Sequence, residues 1–210
     1  MTFKGIVPAV GLFALAACGG GGGVVSNPID LSDFPNASYS DLDTATDFLK
    51  GYAASAVSTS IPTDGSMVTY HGIFLMGEDL STADMTPTVP TGYIGQVRLT
   101  ADYSSVFSVS GTAENFYQTS IDSDGDPGGS TTGDVPGSLD LSGGPRTGAD
   151  FTLNVSGTVN GLSISGSLDS EIHRTASNPG PVAIVGATDP NFPLTVGGFG
   201  PGFDAVIAAD

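Results

Sequence analysis

The sequence predicts an all-β protein: a small antiparallel β-barrel of about eight strands, preceded by an N-terminal leader, a flexible tether and one short helix. Three observations carry that expectation. From Ser66 onward apolar residues recur with a period of two, the signature of half-buried strands. The alternating runs are short and separated by Gly, Pro, Ser and Asp clusters, which is the spacing of sandwiches and barrels. Glycine accounts for 31 of 210 residues, and many of these lie inside the runs, where they mark bends of closed sheets.

Composition narrows the function classes. The chain has 22 acidic and 5 basic residues, a formal charge of −17. A nucleic-acid binder needs a cationic face to displace counterions, so no nucleic-acid partner is expected. One cysteine leaves no disulfide framework. No apolar run approaches the roughly 18 residues of a spanning helix. A 39% hydrophobic content is too high for a wholly disordered acidic chain.

Residues 1–17 read as a leader. Lys4 gives a short positive region, and Gly5 to Ala17 an apolar core of signal-peptide length. The core ends in Leu15-Ala16-Ala17-Cys18, followed by Gly19 to Gly23. This segment resembles the bacterial lipoprotein signal, with its Leu-Ala-Ala-Cys lipobox at Leu15 to Cys18. The resemblance implies cleavage before Cys18, lipidation of the Cys18 thiol and acylation of the new N-terminus. It makes the membrane a partner through the lipid anchor, since several acyl chains hold a protein on a bilayer stably. Gly19 stands where an aspartate retains such proteins at the inner membrane, so the outer membrane is the expected location, with the periplasmic and surface sides both open. Cleavage removes Lys4 and leaves 22 acids against 4 bases, or −18.

Residues 18–37 read as a lipidated, Gly-rich tether. Residues 38–60 hold a short helix: Ser40 is placed to cap it with Asp43 three residues on, and Leu42, Ala45, Leu49 and Tyr52 share a face. It is expected to pack on the domain or to plug one end of it. Residues 61–210 form the barrel. Val68, Tyr70, Gly72, Phe74 and Met76 line one face of the first strand, and Tyr93, Gly95, Val97, Leu99 and Ala101 one face of the second. A tight turn at Asp102 to Ser105 leads to a third over Val106 to Gly111, and Ser138 to Gly143 is a weaker fourth. Phe151, Leu153, Val155, Gly157 and Val159 define the fifth. Asn160-Gly161 then fits a type I′ hairpin into Leu162, Ile164, Gly166 and Leu168, because both turn residues tolerate positive φ. Pro181 to Ala187 and Phe203 to Ala208 complete the set.

The combination resembles the transferrin-binding-protein-B-like β-barrel lipoproteins. It is carried by the lipobox and polyglycine, by Val97-Arg98-Leu99-Thr100-Ala101-Asp102-Tyr103 with the strand after it, by the hairpin of Phe151 to Leu168, and by Gly197-Gly198-Phe199-Gly200 before Phe203 to Ala209. The resemblance implies a lipid-tethered eight-stranded barrel that binds a protein or small solute; no ligand-contacting residue carries over.

Chemistry-bearing motifs are few. Asp122, Asp124 and Asp126 alternate in an acidic loop, as the first ligands of a calcium loop do, so weak Ca²⁺ binding is one reading and a solvated turn the other. Pro127 and Gly133 stand where an EF-hand needs its glycine and its bidentate glutamate. His71 alternates against the apolar face of its strand and should point away from the core; His173, beside Glu171 and Arg174, reads as a strand end facing water. No nucleophile elbow, zinc-protease helix or phosphate loop occurs, and no enzyme is expected. Contact residues are expected in the loops Glu78 to Gly92, Tyr117 to Gly137 and Thr175 to Pro193, and the charge favours a cationic partner. The expected role is therefore a binding module for a protein or small solute, with a structural envelope accessory as the alternative. The barrel interior separates them: eight strands either hold one small ligand or are filled by side chains.

Overall fold

A computed structural model describes residues 30–77, 91–121, 126–128, 133–175, 180–189, 193–197 and 199–210. One helix, α1 (Tyr39–Ala53), precedes ten strands: β1 (Met67–Gly77), β2 (Thr91–Asp102), β3 (Ser108–Ser120), β4 (Asp134–Val135), β5 (Gly137–Gly143), β6 (Asp150–Val159), β7 (Leu162–His173), β8 (Ala183–Ala187), β9 (Leu194–Val196) and β10 (Phe199–Ala209). All pairings are antiparallel, and β10 returns to β1 over Gly72 to Gly77, closing the sheet. The ring has eight positions because two of them are shared. β4 and β5 both pair with β3, on either side of Pro136. β8 and β9 both bridge β7 and β10, at opposite ends of those strands. The expected all-β barrel of eight strands is therefore the observed one.

The inward faces follow the period-two reading. Tyr70, Phe74, Met76, Val97, Leu99, Val155 and Leu168 belong to one continuous apolar cluster that fills the ring. The outer wall opposite α1 is the reverse: Thr152, Asn154, Ser156 and Thr158 on β6, and Ser163 and Ser165 on β7, are exposed. A membrane-spanning barrel needs an outward apolar band about 25 Å tall. This wall is Ser, Thr and Asn, so the barrel is apolar inside and wetted outside.

β3 is longer than the sequence suggests. Asn115 adopts φ 56°, and the β2–β3 register shifts opposite it, between Ile94 and Gln96. The bulge changes which residues face inward, from Val109 and Ala113 before it to Phe116 after it. A strict period-two reading loses the strand at that point. Val106, read as strand, is instead an exposed turn residue. The Asn160-Gly161 hairpin forms as expected, with φ of 52° and 77°.

The helix is capped two residues earlier than expected. Ser38, not Ser40, is the N-cap: its hydroxyl accepts from the Asp41 N–H, and the Asp41 carboxylate accepts from the Ser38 N–H at 2.9 Å. The Ser38 hydroxyl, which donates to the carboxylate at 2.6 Å, and the Ser38 N–H together hold the Asp41 carboxyl below its usual range. Leu42, Ala45 and Leu49 are buried against Ile73, Leu75 and Ile94, so α1 lies on the outside of the barrel rather than in its mouth. It also touches β10, covering the β1–β10 closure.

Candidate functional site

Each end of the barrel has a distinct construction. The end formed by the start of β1, the β2–β3 turn and the end of β7 is covered by the chain's own residues 54–66. Val57 and Ile61 pack on the interior cluster there, the Ser58 N–H donates to the Ile172 carbonyl at 2.7 Å, and the Tyr103 N–H donates to the Ser66 carbonyl at 2.9 Å. The opposite end carries the β6–β7 turn and the connections 78–90 and 121–133. Each of those two connections contains three carboxylates and no lysine or arginine. Parts of the expected contact loops are strand instead: Thr91 and Gly92 belong to β2, Tyr117 to Ser120 to β3, and Ala183 to Ala187 to β8.

The outer wall of β1–β3 binds the segment Asp30–Ala37. Gln96 is fully buried, although it faces outward, and it is satisfied by main chain. Its Nε2 donates to the Leu31 carbonyl at 2.7 Å and its Oε1 accepts from the Ala37 N–H at 3.0 Å. Asn115 and Tyr117 both donate to the Ala37 carbonyl. The Arg98 guanidinium lies 4.8 Å from the centre of the Phe34 ring, near enough for a cation–π contact. Residues 30–37, read from the sequence as part of the tether, thus behave as a strap on the wall. None of Gln96, Asn115 or Tyr117 stands out in the sequence, because their shared target appears only once the strands are in register.

The histidines divide. His71 points outward, as expected, and its Nδ1 is buried without a hydrogen-bonding partner among the described residues. Burial, with Arg98 nearby, holds its pKa below the ordinary histidine value. His173 does not face water: it is 4% exposed. The segment after α1 covers it, with Val57 in a β-bridge to His173. Its Nδ1 lies 3.2 Å from the Ser55 carbonyl and 3.3 Å from the Ser55 hydroxyl, and its Nε2 lies 3.4 Å from Glu171. Serine, histidine and carboxylate in line suggest a nucleophile triad, but the bonds run the wrong way. The Ser55 hydroxyl already donates to the Tyr52 carbonyl at 2.7 Å. An Nδ1 that donates to the Ser55 carbonyl has no lone pair with which to take the hydroxyl proton. The arrangement clamps the chain after α1 to β7.

Of the three aspartates proposed for calcium, Asp122 and Asp124 lie outside the described residues, as does Cys18. Asp126 is described, and its carboxylate pairs with the Lys50 ammonium from α1. That carboxylate is already met by a cation of the chain itself. No group of three or more metal-ligating side chains occurs among the described residues. Inside the barrel the Tyr70 and Tyr103 hydroxyls meet at 2.7 Å. Burial raises the pKa of both, so the pair is neutral.

No protein-family model matches the chain, and neither a curated protein nor a solved structure is significantly similar to it. The site must therefore be read from its own residues.

Proposed function

We propose that this chain is a lipid-anchored lipoprotein of the bacterial outer membrane. In this reading its filled barrel is a scaffold that presents acidic loops to a basic protein partner. The observation that carries it is the inside-out distribution of polarity: side chains fill the ring and hydroxyls and amides cover the wall. An interior so occupied favours a protein partner at the loops over a solute within the barrel. The lipobox at Leu15 to Cys18 supports the anchor, and a water-facing wall is consistent with a module that sits on a membrane rather than in it. Five loop carboxylates, Glu78, Asp79, Asp84, Asp122 and Asp124, without a basic neighbour in sequence raise the local concentration of cationic partners. Under this reading the likeness to transferrin-binding-protein-B-like lipoproteins reflects shared architecture. The filled interior also favours a second reading, an envelope accessory whose barrel is a spacer.

A photoreactive amino acid decides between them. Placed at Pro136, on the loop end, it is expected to give a discrete protein adduct in intact cells, weakened by salt as surface charge is screened. Placed at Val106, on the covered end, it is expected to give none. Adducts from Val106 alone contradict the loop-end reading, and adducts from neither position favour the spacer.

A further inference from the structure

Both histidines of the chain lie beneath the N-terminal arm, one near each of its ends. His71 lies beside the Leu31 backbone where that arm, Asp30–Ser55, begins, and His173 meets the Ser55 carbonyl where it closes. We propose that residues Asp30–Ala37 are an acid-released latch on the barrel wall, with His71 as its sensor.

The latched state is built around a neutral His71. Its Nδ1 is buried without a hydrogen-bonding partner among the described residues, and the Leu31 backbone lies beside the ring. Protonation sets a new N–H on buried Nδ1, where no acceptor stands among the described residues. It also sets a positive charge beside Arg98, whose guanidinium is fixed over Phe34 in the strap. Three groups favour the charged form: the carboxylates of Asp30 in the strap and Asp210 after β10, and the Leu31 backbone. Both carboxylates already accept other bonds, Asp30 from the Ser32 N–H at 2.9 Å and Asp210 from the Tyr52 hydroxyl at 3.2 Å. Asp30 is also exposed, so solvent screens it.

The sign follows from the depressed pKa. Above about pH 6.5 His71 is neutral whether the strap is bound or free, and the latch holds. As the pH falls below that value His71 gains the proton first in the state with the strap released. The advantage of the bound state is lost progressively until the pH passes the lower, folded value. His173 lies away from the strap, with an oxygen beside each ring nitrogen, and holds the chain after α1 to β7. Eight released residues extend by about 26–29 Å, which lengthens whatever chain precedes Asp30. The latch itself does not require lipid at Cys18.

The chain has no tryptophan, so Phe34→Trp supplies a single reporter on the strap. In the purified full-length protein its emission is expected to shift to the red between about pH 7.5 and 5, with a midpoint below the ordinary histidine pKa of about 6.5. Adding His71→Gln should abolish the shift. Adding Arg98→Gln should move the midpoint upward, since the nearby cation is gone, and this variant decides the matter if His71→Gln does not fold. An unchanged emission in the reporter protein, the same shift after His71→Gln, or an unmoved midpoint without Arg98 would each overturn the latch.

Discussion

Gly72→Val is expected to leave the chain without a closed barrel. Gly72 is the first β1 residue paired with β10, opposite Ala209, and the closure depends on how near the two backbones lie there. A Cβ at position 72 would stand 2.0 Å from the Ala208 carbonyl oxygen and 2.5 Å from the Ala209 Cα. These are backbone atoms, so no rotamer change relieves the contact. The strands must separate, and the neighbouring reciprocal bonds between His71 and Asp210, each 3.0 Å, go with them. Each such bond contributes about 1 kcal/mol net, and the overpacking adds roughly 1–3 kcal/mol. A combined loss on the order of 3–5 kcal/mol is a large part of a small domain's stability. Denaturant unfolding followed by circular dichroism checks this; a midpoint unchanged from the parent would mean that β1 and β10 do not close the ring as described.

Gln96→Leu should have the next largest effect and a different character. Leucine fills similar space but abandons the Leu31 carbonyl and the Ala37 N–H, both now facing a buried apolar side chain. Leaving buried polar groups unpaired costs roughly 1–3 kcal/mol each. The chain can limit that cost by letting the strap go, which returns both groups to water. The expected result is about 2–3 kcal/mol of destabilisation, or a fall in Tm of roughly 5–10 °C for a domain of this size. The loss should be local: amide exchange at Ala37 accelerates while strand amides in β6 and β7 stay protected. Uniform loss of protection would show that the strap and the barrel unfold as one unit.

The barrel was legible because inward alternation is strong on β1, β2, β6 and β7, and because Asn160-Gly161 specifies its own turn. Elements that depend on distant partners were not. The bulge at Asn115 is encoded by what Asn115 touches, the Ala37 carbonyl 78 positions away, and no local pattern announces it. β4 and β9 are two and three residues long, too short for any periodicity. One signal was present and read through: Ile73-Phe74-Leu75-Met76 is continuously apolar, which on a strand means that both faces are buried. Phe74 and Met76 face the interior cluster, and Ile73 and Leu75 face α1. The run therefore marks where the helix docks. For the site, charge favoured the loop connections, but Gln96 and His71 needed the structure, since a polar residue on an outward face looks solvated until the strap covers it. The glycines also acquire a sharper meaning: Gly72 serves close backbone approach at the closure, not a turn.

The proposed lipoprotein combines a polar outer wall with a single membrane attachment through Cys18. Fractionation of cells expressing Cys18→Ser tests both halves together. The account predicts that the parent protein sediments with membranes, while the Cys18→Ser protein appears in the soluble fraction with its strand signal and cooperative melting intact. A Cys18→Ser protein that still sediments with the bilayer and needs detergent for release would contradict it.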